Sequence, residues 1–267
     1  MDVAKRNACI SFGQMRPAAL TALLWATATA LGTSVPARAA EEPRAGQGGA
    51  AVIDRVVAVV QLRQGVAERR SGAPSSPPDV ITLSGLKFEA KVALIQRGAV
   101  RAASEDLDEV ALRAALENAI SERLLAGEAE MLQAYLVEPQ EVDTALRAFR
   151  ERFESSAQFQ SFLSAHEADL QALGRVLERN LRAVKVLDGK VRLRAQVTES
   201  EVRAFWEQNR SRLRGDYEEL RSLLRERLIR ERYQQLVESE LAALRRTHEV
   251  RKVAPFARRG AKAGAAG

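Results

Sequence analysis

The segment Phe205–Leu228 reads FWEQNRSRLRGDYEELRSLLRERL, and the reading of the fold turns on its middle. A helical pattern reaches Leu213, breaks at Arg214-Gly215-Asp216 and restarts at Tyr217. Gly215 permits a chain reversal, and Asp216 suits the N-cap of the next helix. Beyond the break, Leu220, Leu224, Leu228, Tyr233, Leu236, Leu241 and Leu244 form a seam, broadened by Leu223, Ile229 and Val237. The spacing predicts one long helix from Tyr217 to about Arg246, and the broadened seam fits packing inside a domain rather than a bare two-stranded coil. Before the break, VTESEVRAFW (Val197–Trp206) carries a capping box. The Thr198 side chain is placed to meet the amide of Glu201, and the Glu201 carboxylate to reach back to Thr198.

Upstream, more helices follow from the same periodicity. LKFEAKVALIQRG places Leu86, Phe88, Val92 and Ile95 along one side of a helix, with Ser84 as its expected cap and Gly98 as its end. SEDLDEV opens a second helix, expected to run to about Leu136, with Leu112, Leu116, Ile120, Leu124, Leu125, Leu132 and Tyr135 on its apolar face. Pro139 suits the first turn of a third, whose Val142, Leu146, Phe149 and Phe153 step by four, three and four. A short helix with Phe159, Phe162 and Leu163 follows, then a longer one striped by Leu170, Leu173, Leu177, Leu181 and Val184. Gly174 interrupts that stripe at a cost of up to about 1 kcal/mol relative to alanine.

Two short β-branched runs flank the helices on the N-terminal side, AVIDRVVAVV (51–60) and VITL (80–83). Gln61–Asp79 lies between them, and its three prolines, two glycines and three serines make it a loop inserted in a hairpin. HEVRKV (248–253) reads as a last short strand, at the end of one domain spanning 51–254. The expected fold is mainly α: a multi-helix bundle with a small sheet made from an N-terminal hairpin and a C-terminal strand. Residues 255–267 read as a disordered basic tail.

Residues 1–39 read as a signal peptide. Lys5, Arg6 and Arg16 precede the uncharged run Ala18–Gly32, and Ala37-Arg38-Ala39 supplies a small-x-small cleavage pattern. Fifteen mildly apolar residues fall short of the roughly 20 that a spanning helix needs, so no stable membrane insertion is expected after cleavage. Ala40–Ala50 is a flexible leader. The single cysteine, Cys9, precedes the apolar run, so a cleaved chain has no disulfide and no thiol chemistry. The net charge of +6 falls to +3 without residues 1–39, and the remaining charges alternate along helices. That is the pattern of solvated helix faces, not of a nucleic-acid reader.

The order of the segments carries a resemblance. Val52–Val60 with Val80–Ser84, then Val197–Asn209, then Tyr217–Leu228 and HEVRKV resemble, in sequence, the hairpin, the helix before the isomerase domain, the helix after it and the terminal strand of SurA-like periplasmic chaperones and parvulin-type prolyl isomerases. The resemblance implies a periplasmic location, unfolded or nascent envelope proteins as partners, and binding of extended apolar segments. It departs from the family in two places: the 61–79 insertion, and the joint at 213–216, where an isomerase domain of roughly 90–100 residues is expected and only a turn remains. The resemblance therefore implies a holdase without isomerase catalysis. An envelope assembly protein that pairs, for instance as a homodimer, through its long C-terminal helix, and an active isomerase, are the two alternatives.

Side-chain chemistry agrees with a non-enzyme. His166 and His248 are lone histidines, expected at the surface or at helix caps, and the acidic pairs sit at helix starts where the helix dipole accounts for them. No motif for a metal or cofactor is present. The candidate peptide-binding residues are Phe149, Phe153, Phe159, Phe162 and Trp206, with core filling of a small helical lobe as the competing reading of the phenylalanines. Phe205 and Trp206 are adjacent, so one is expected in the core and the other exposed.

Overall fold

The computed structural model describes residues 54–63 and 77–258. The signal peptide, the leader, residues 64–76 of the insertion and the end of the tail (259–267) lie outside the described residues. The described chain is mainly helical with a three-stranded antiparallel sheet. In chain order the elements are β1 (Val56–Gln61), β2 (Asp79–Thr82), α1 (Leu83–Gln96), α2 (Val100–Ser104), α3 (Glu109–Met131), α4 (Pro139–Arg150), α5 (Ser156–Ala165), α6 (Leu170–Val191), α7 (Glu199–Asn209), α8 (Tyr217–Thr247), β3 (Glu249–Lys252) and α9 (Pro255–Arg258).

The hairpin and the last strand pair in the order β2-β1-β3. Val59 stands opposite Val80 on one side and Arg251 on the other. β1 is central, and its Val57, Ala58 and Val60 are buried. Adjacent residues of a regular strand point to opposite faces; the register shift between Val56 and Ala58 is what lets Val57 and Ala58 both turn inward. The ends of the described chain are thus joined through backbone ladders, and the Val253 and Ala254 amides extend the joint to the Val57 carbonyl.

Each helix start has a local cause. Thr82, not Ser84, caps α1 and accepts from the Gly85 amide at 3.3 Å. Ser84 instead donates from its amide (3.1 Å) and its hydroxyl to the Asp54 carboxylate, which lies below its usual range through these bonds. Asp108 caps α3 and Asp169 caps α6, accepting from amides at 2.7 and 2.6 Å. The capping box at Thr198 is formed: Glu201 accepts from the Thr198 amide at 2.7 Å. Asp216 is the N-cap of α8, and Gly215 before it has φ +131°, a backbone open to glycine.

Two cores share the same helices. The first lies under the sheet and gathers Val57, Val60, Ile81, Leu86, Leu116, Leu124, Val186, Val191 and Leu244. The second gathers Phe88, Val92, Ile95, Phe149, Phe159, Leu163, Leu173 and Leu177. α1 serves both, turning Leu86 and Ala90 to one core and Phe88, Val92 and Ile95 to the other. α6 does so lengthwise, with Leu173 and Leu177 in the second core and Ala183 to Val191 in the first.

Three sequence expectations are corrected. α3 ends at Met131 rather than near Leu136: Gln133 (φ 49°) and Tyr135 (φ 57°) take left-handed conformations that turn the chain so that Tyr135 packs on Gly189 of α6. α4 ends at Arg150, so Phe153, expected on it, lies in the turn that follows. The tail is not irregular from 255 on: α9 docks on the first core through buried Ala257 and partly buried Phe256, whose carbonyl accepts from Arg113 Nε at 2.9 Å.

Candidate functional site

The candidate aromatic residues divide by burial. α4 and α5 lie across α1 and α6 and bring Phe149, Phe153, Phe159 and Phe162 into one cluster, with ring centroids 5.5 to 6.4 Å apart in tilted and edge-on pairs. Phe149 and Phe159 are each 2% exposed, so in this fold they are core residues of the second lobe. Phe153 and Phe162 are half-buried and present ring surface outward. Trp206 is not part of the cluster. It sits on α7 with its ring 5.9 Å from Tyr217 and the Arg210 guanidinium 5.3 Å over it. Phe205, next to it, lies under Arg227 at 5.7 Å. Both are half-buried, where one core and one exposed ring were expected. The reason is that α7 is covered on one side only, by α8.

Two further rings join the cluster, buried Phe88 and half-buried His166. Phe88 of α1 stacks on Phe162 at 5.9 Å, and His166, the residue after α5, lies 5.1 Å from Phe162 and 5.7 Å from Phe88. His166 therefore occupies a cap position, as the sequence suggested, but also belongs to the ring cluster. Burial, then the nearby Lys91 and Lys87 ammonium groups, push its pKa below the usual value. At neutral pH the imidazole is accordingly uncharged, which suits an apolar edge rimmed by two lysines. His248, the C-cap of α8, is 9% exposed and accepts from the Arg63 amide through Nδ1 at 3.1 Å. It ties the end of β1 to the start of β3.

Sequence reasoning missed the charged seam between the two cores. Arg123 of α3 donates to both oxygens of Glu89 of α1, at 2.7 and 2.9 Å, and lies 3.1 Å from Asp79 of β2. Arg179 of α6 lies 2.5 Å from the same Glu89, and Asn180 donates to Glu122 of α3 at 3.1 Å. Burial alone would raise the Glu89 pKa, but Arg123 and Arg179 outweigh it and hold the carboxyl below its usual value. Glu122 goes the other way: burial and the neighbouring Glu89 push it up, and the more distant Arg179 (4.0 Å) offsets this only in part. Between α1, α3 and α6, beside Glu89, Glu122 and Asn180, lies a cavity of about 20 Å³, room for roughly one water. One signal did exist in the sequence. α1 is apolar on two sides, so Glu89 between them has to be buried and needs a cation.

Among the described residues, no group of three or more His, Cys, Asp or Glu side chains could hold a metal ion. No helix among them is long and apolar enough to cross a membrane. No protein-family model, curated protein or solved structure matches this chain.

Proposed function

We propose that the protein is an exported holdase of the SurA-like kind, which shields apolar segments of unfolded envelope proteins and performs no isomerase chemistry. The observation that carries the reading is the outward ring edge of the second lobe: half-buried Phe153, Phe162 and His166, with Phe162 in contact with the other two and buried Phe88 beneath it. Aromatic surface of that kind gains free energy by covering an apolar side chain, at about 25 cal/mol per Å² removed from water. The resemblance of segment order supports the same reading. So does the joint it singled out, where α7 ends at Asn209 and α8 begins at Tyr217 with a reversal between them.

The pairing alternative fits less well with the packing of α8. Val237 and Leu244 are spent on the first core and buried Leu224 lies in the half that faces α7, while Leu223 stands alone at 63% exposure. A long helix whose seam is used within its own chain has little left for a coil with a second copy.

The test is aggregation of a urea-unfolded outer-membrane β-barrel protein on dilution, with and without the chain lacking residues 1–39. Suppression near stoichiometry, weakened by Phe162→Ser, supports the reading. Aggregation unchanged by a molar excess overturns it. A proline-limited refolding assay run beside it tests the isomerase alternative, which predicts clear catalytic acceleration.

A further inference from the structure

Charge is not spread evenly around the ring edge of the second lobe. α1 runs past it with Lys87 and Lys91 to either side of buried Phe88 in the chain. Phe88 stacks on Phe162 at 5.9 Å, and His166 lies 5.1 Å from the same Phe162 ring. Lys87 is exposed and Lys91 half-buried, and among the described residues neither forms an ion pair.

The lobe has carboxylates of its own. Glu151 and Glu154 precede α5, Glu167 and Asp169 follow it, and Arg150 and Arg152 offset part of their charge. Position, not excess, therefore decides what the rings face. The His166 imidazole reports on that position: the charges that shift it are those of Lys91 and then Lys87, and no carboxylate contributes, not even that of the adjacent Glu167. At the ring edge the acting charges are two ammonium groups beside half-buried aromatic surface.

We propose that this edge selects extended client segments in which carboxylates lie a few residues from an aromatic or large aliphatic side chain. The inference rests on the holdase reading of the same surface and names the class of segment it prefers. The apolar side chain covers Phe162 and Phe153, and the carboxylates meet Lys87 and Lys91. A neutral or basic flank leaves both ammonium groups to lose hydration beside apolar surface with no counter-charge. The spacing agrees: four positions of α1 span about 6 Å, and alternate residues of an extended chain stand about 6.6 Å apart on one face. Ion pairs at a solvated rim are weak singly, so the two together give a preference of roughly three- to tenfold, screened by salt.

The experiment is fluorescence anisotropy of three end-blocked peptides carrying an uncharged dye, titrated with the chain lacking residues 1–39. Each peptide holds Phe-Leu-Phe followed by Glu-Ser-Glu, Gln-Ser-Gln or Lys-Ser-Lys. At low salt the Glu peptide is expected to bind roughly three- to tenfold more tightly than the Gln peptide, and the Lys peptide most weakly. The advantage is lost at high salt and in the double variant Lys87→Gln, Lys91→Gln, and it passes to the Lys peptide in Lys87→Glu, Lys91→Glu. It persists in Arg194→Gln, Arg212→Gln, which removes the same charge at two exposed positions outside the lobe. Phe162→Ser weakens all three peptides. Circular dichroism melts establish that each variant is folded. Equal binding of the three peptides by the wild-type chain overturns the inference and leaves the holdase reading standing, whereas binding of none overturns both. Equal loss in the lysine-to-glutamine and arginine-to-glutamine double variants also overturns it, since net charge alone then attracts the Glu peptide. So does a Glu peptide that binds Phe162→Ser unchanged, or one that oligo-dT displaces more readily than unlabelled Glu peptide does.

Discussion

Replacing Gly189 by alanine adds one methyl group where Tyr135 already lies. A Cβ built on Gly189 falls 2.4 Å from Tyr135 Cε1, 2.8 Å from its hydroxyl oxygen and 3.0 Å from Cζ. Ordinary contact needs about 3.5 Å or more, so the ring has to retreat by roughly 1 Å. The ring is half-buried and packs on the first core, so its retreat also disturbs those contacts. Overpacking of this kind costs about 1–3 kcal/mol, and a rigid ring belongs in the upper half of that range. Against it stands the gain of about 1 kcal/mol for alanine over glycine inside a helix. The net expectation for Gly189→Ala is destabilisation by about 1–2 kcal/mol, or a Tm lowered by roughly 3–6 °C for a domain of this size. The sign should reverse in a Tyr135→Ala background, where the methyl meets no ring and the same substitution stabilises by about 1 kcal/mol. Gly174→Ala serves as a second control. Its nearest neighbour is Val142 Cγ1 at 3.9 Å, so it should stabilise by up to about 1 kcal/mol. Urea unfolding of the four members of the Gly189–Tyr135 cycle measures the coupling. Effects of the same sign in both backgrounds refute the reasoning.

The charged seam gives predictions with opposite pH dependence. The Glu89 carboxyl is held low, so its contribution is present above the unfolded value near 4.5 and is lost as pH falls through the folded value; Glu89→Gln should cost about 3 kcal/mol at pH 7 by urea titration and much less in acid. Glu122 is pushed up, so its ionisation opposes folding as pH rises past 4.5; Glu122→Gln should therefore raise the urea midpoint at pH 7, with the gain vanishing once wild-type Glu122 is protonated in both states. In the ring cluster, Phe149→Ala should cost about 3–5 kcal/mol because it opens a cavity, whereas Phe162→Ser should melt much nearer to wild type and act on client binding instead. Ending the chain at Ala254 removes α9 and uncovers the first core, with an expected loss of about 1–3 kcal/mol in thermal or chemical unfolding.

Periodicity, caps and turn chemistry were enough to reach the fold class. The steps of three and four that give α3, α4, α6 and α8, the capping box at Thr198, the reversal at Gly215 and the β-branched runs that become β1 and β2 are all local properties of the chain. The closure of the sheet by β3 was an expectation carried by the resemblance, and β3 does pair with β1. Local pattern put Phe159 and Phe162, three apart, on one side of α5, but their meeting with Phe149 and Phe153 is tertiary.

Which of those rings would be core and which surface was a tertiary matter. Phe149 and Phe162 have the same side chain, and the position of α1 and α6 beneath them buries one and leaves the other half open. The same holds for the glycines. Gly174 looked costly and has room to spare, while Gly189, unremarked in the sequence, is needed because a ring from a distant loop lies on it. The charges divide in the same way. Glu89 and Arg123 are 34 positions apart and read as solvated, yet they pair where two cores meet. Arg210, Arg212 and Arg214 read as part of an ordinary alternating pattern, and they stay exposed at the hairpin end. The sequence by itself set the direction of each side chain around its own helix. What lay on the other side, and at what distance, depended on how the helices were packed.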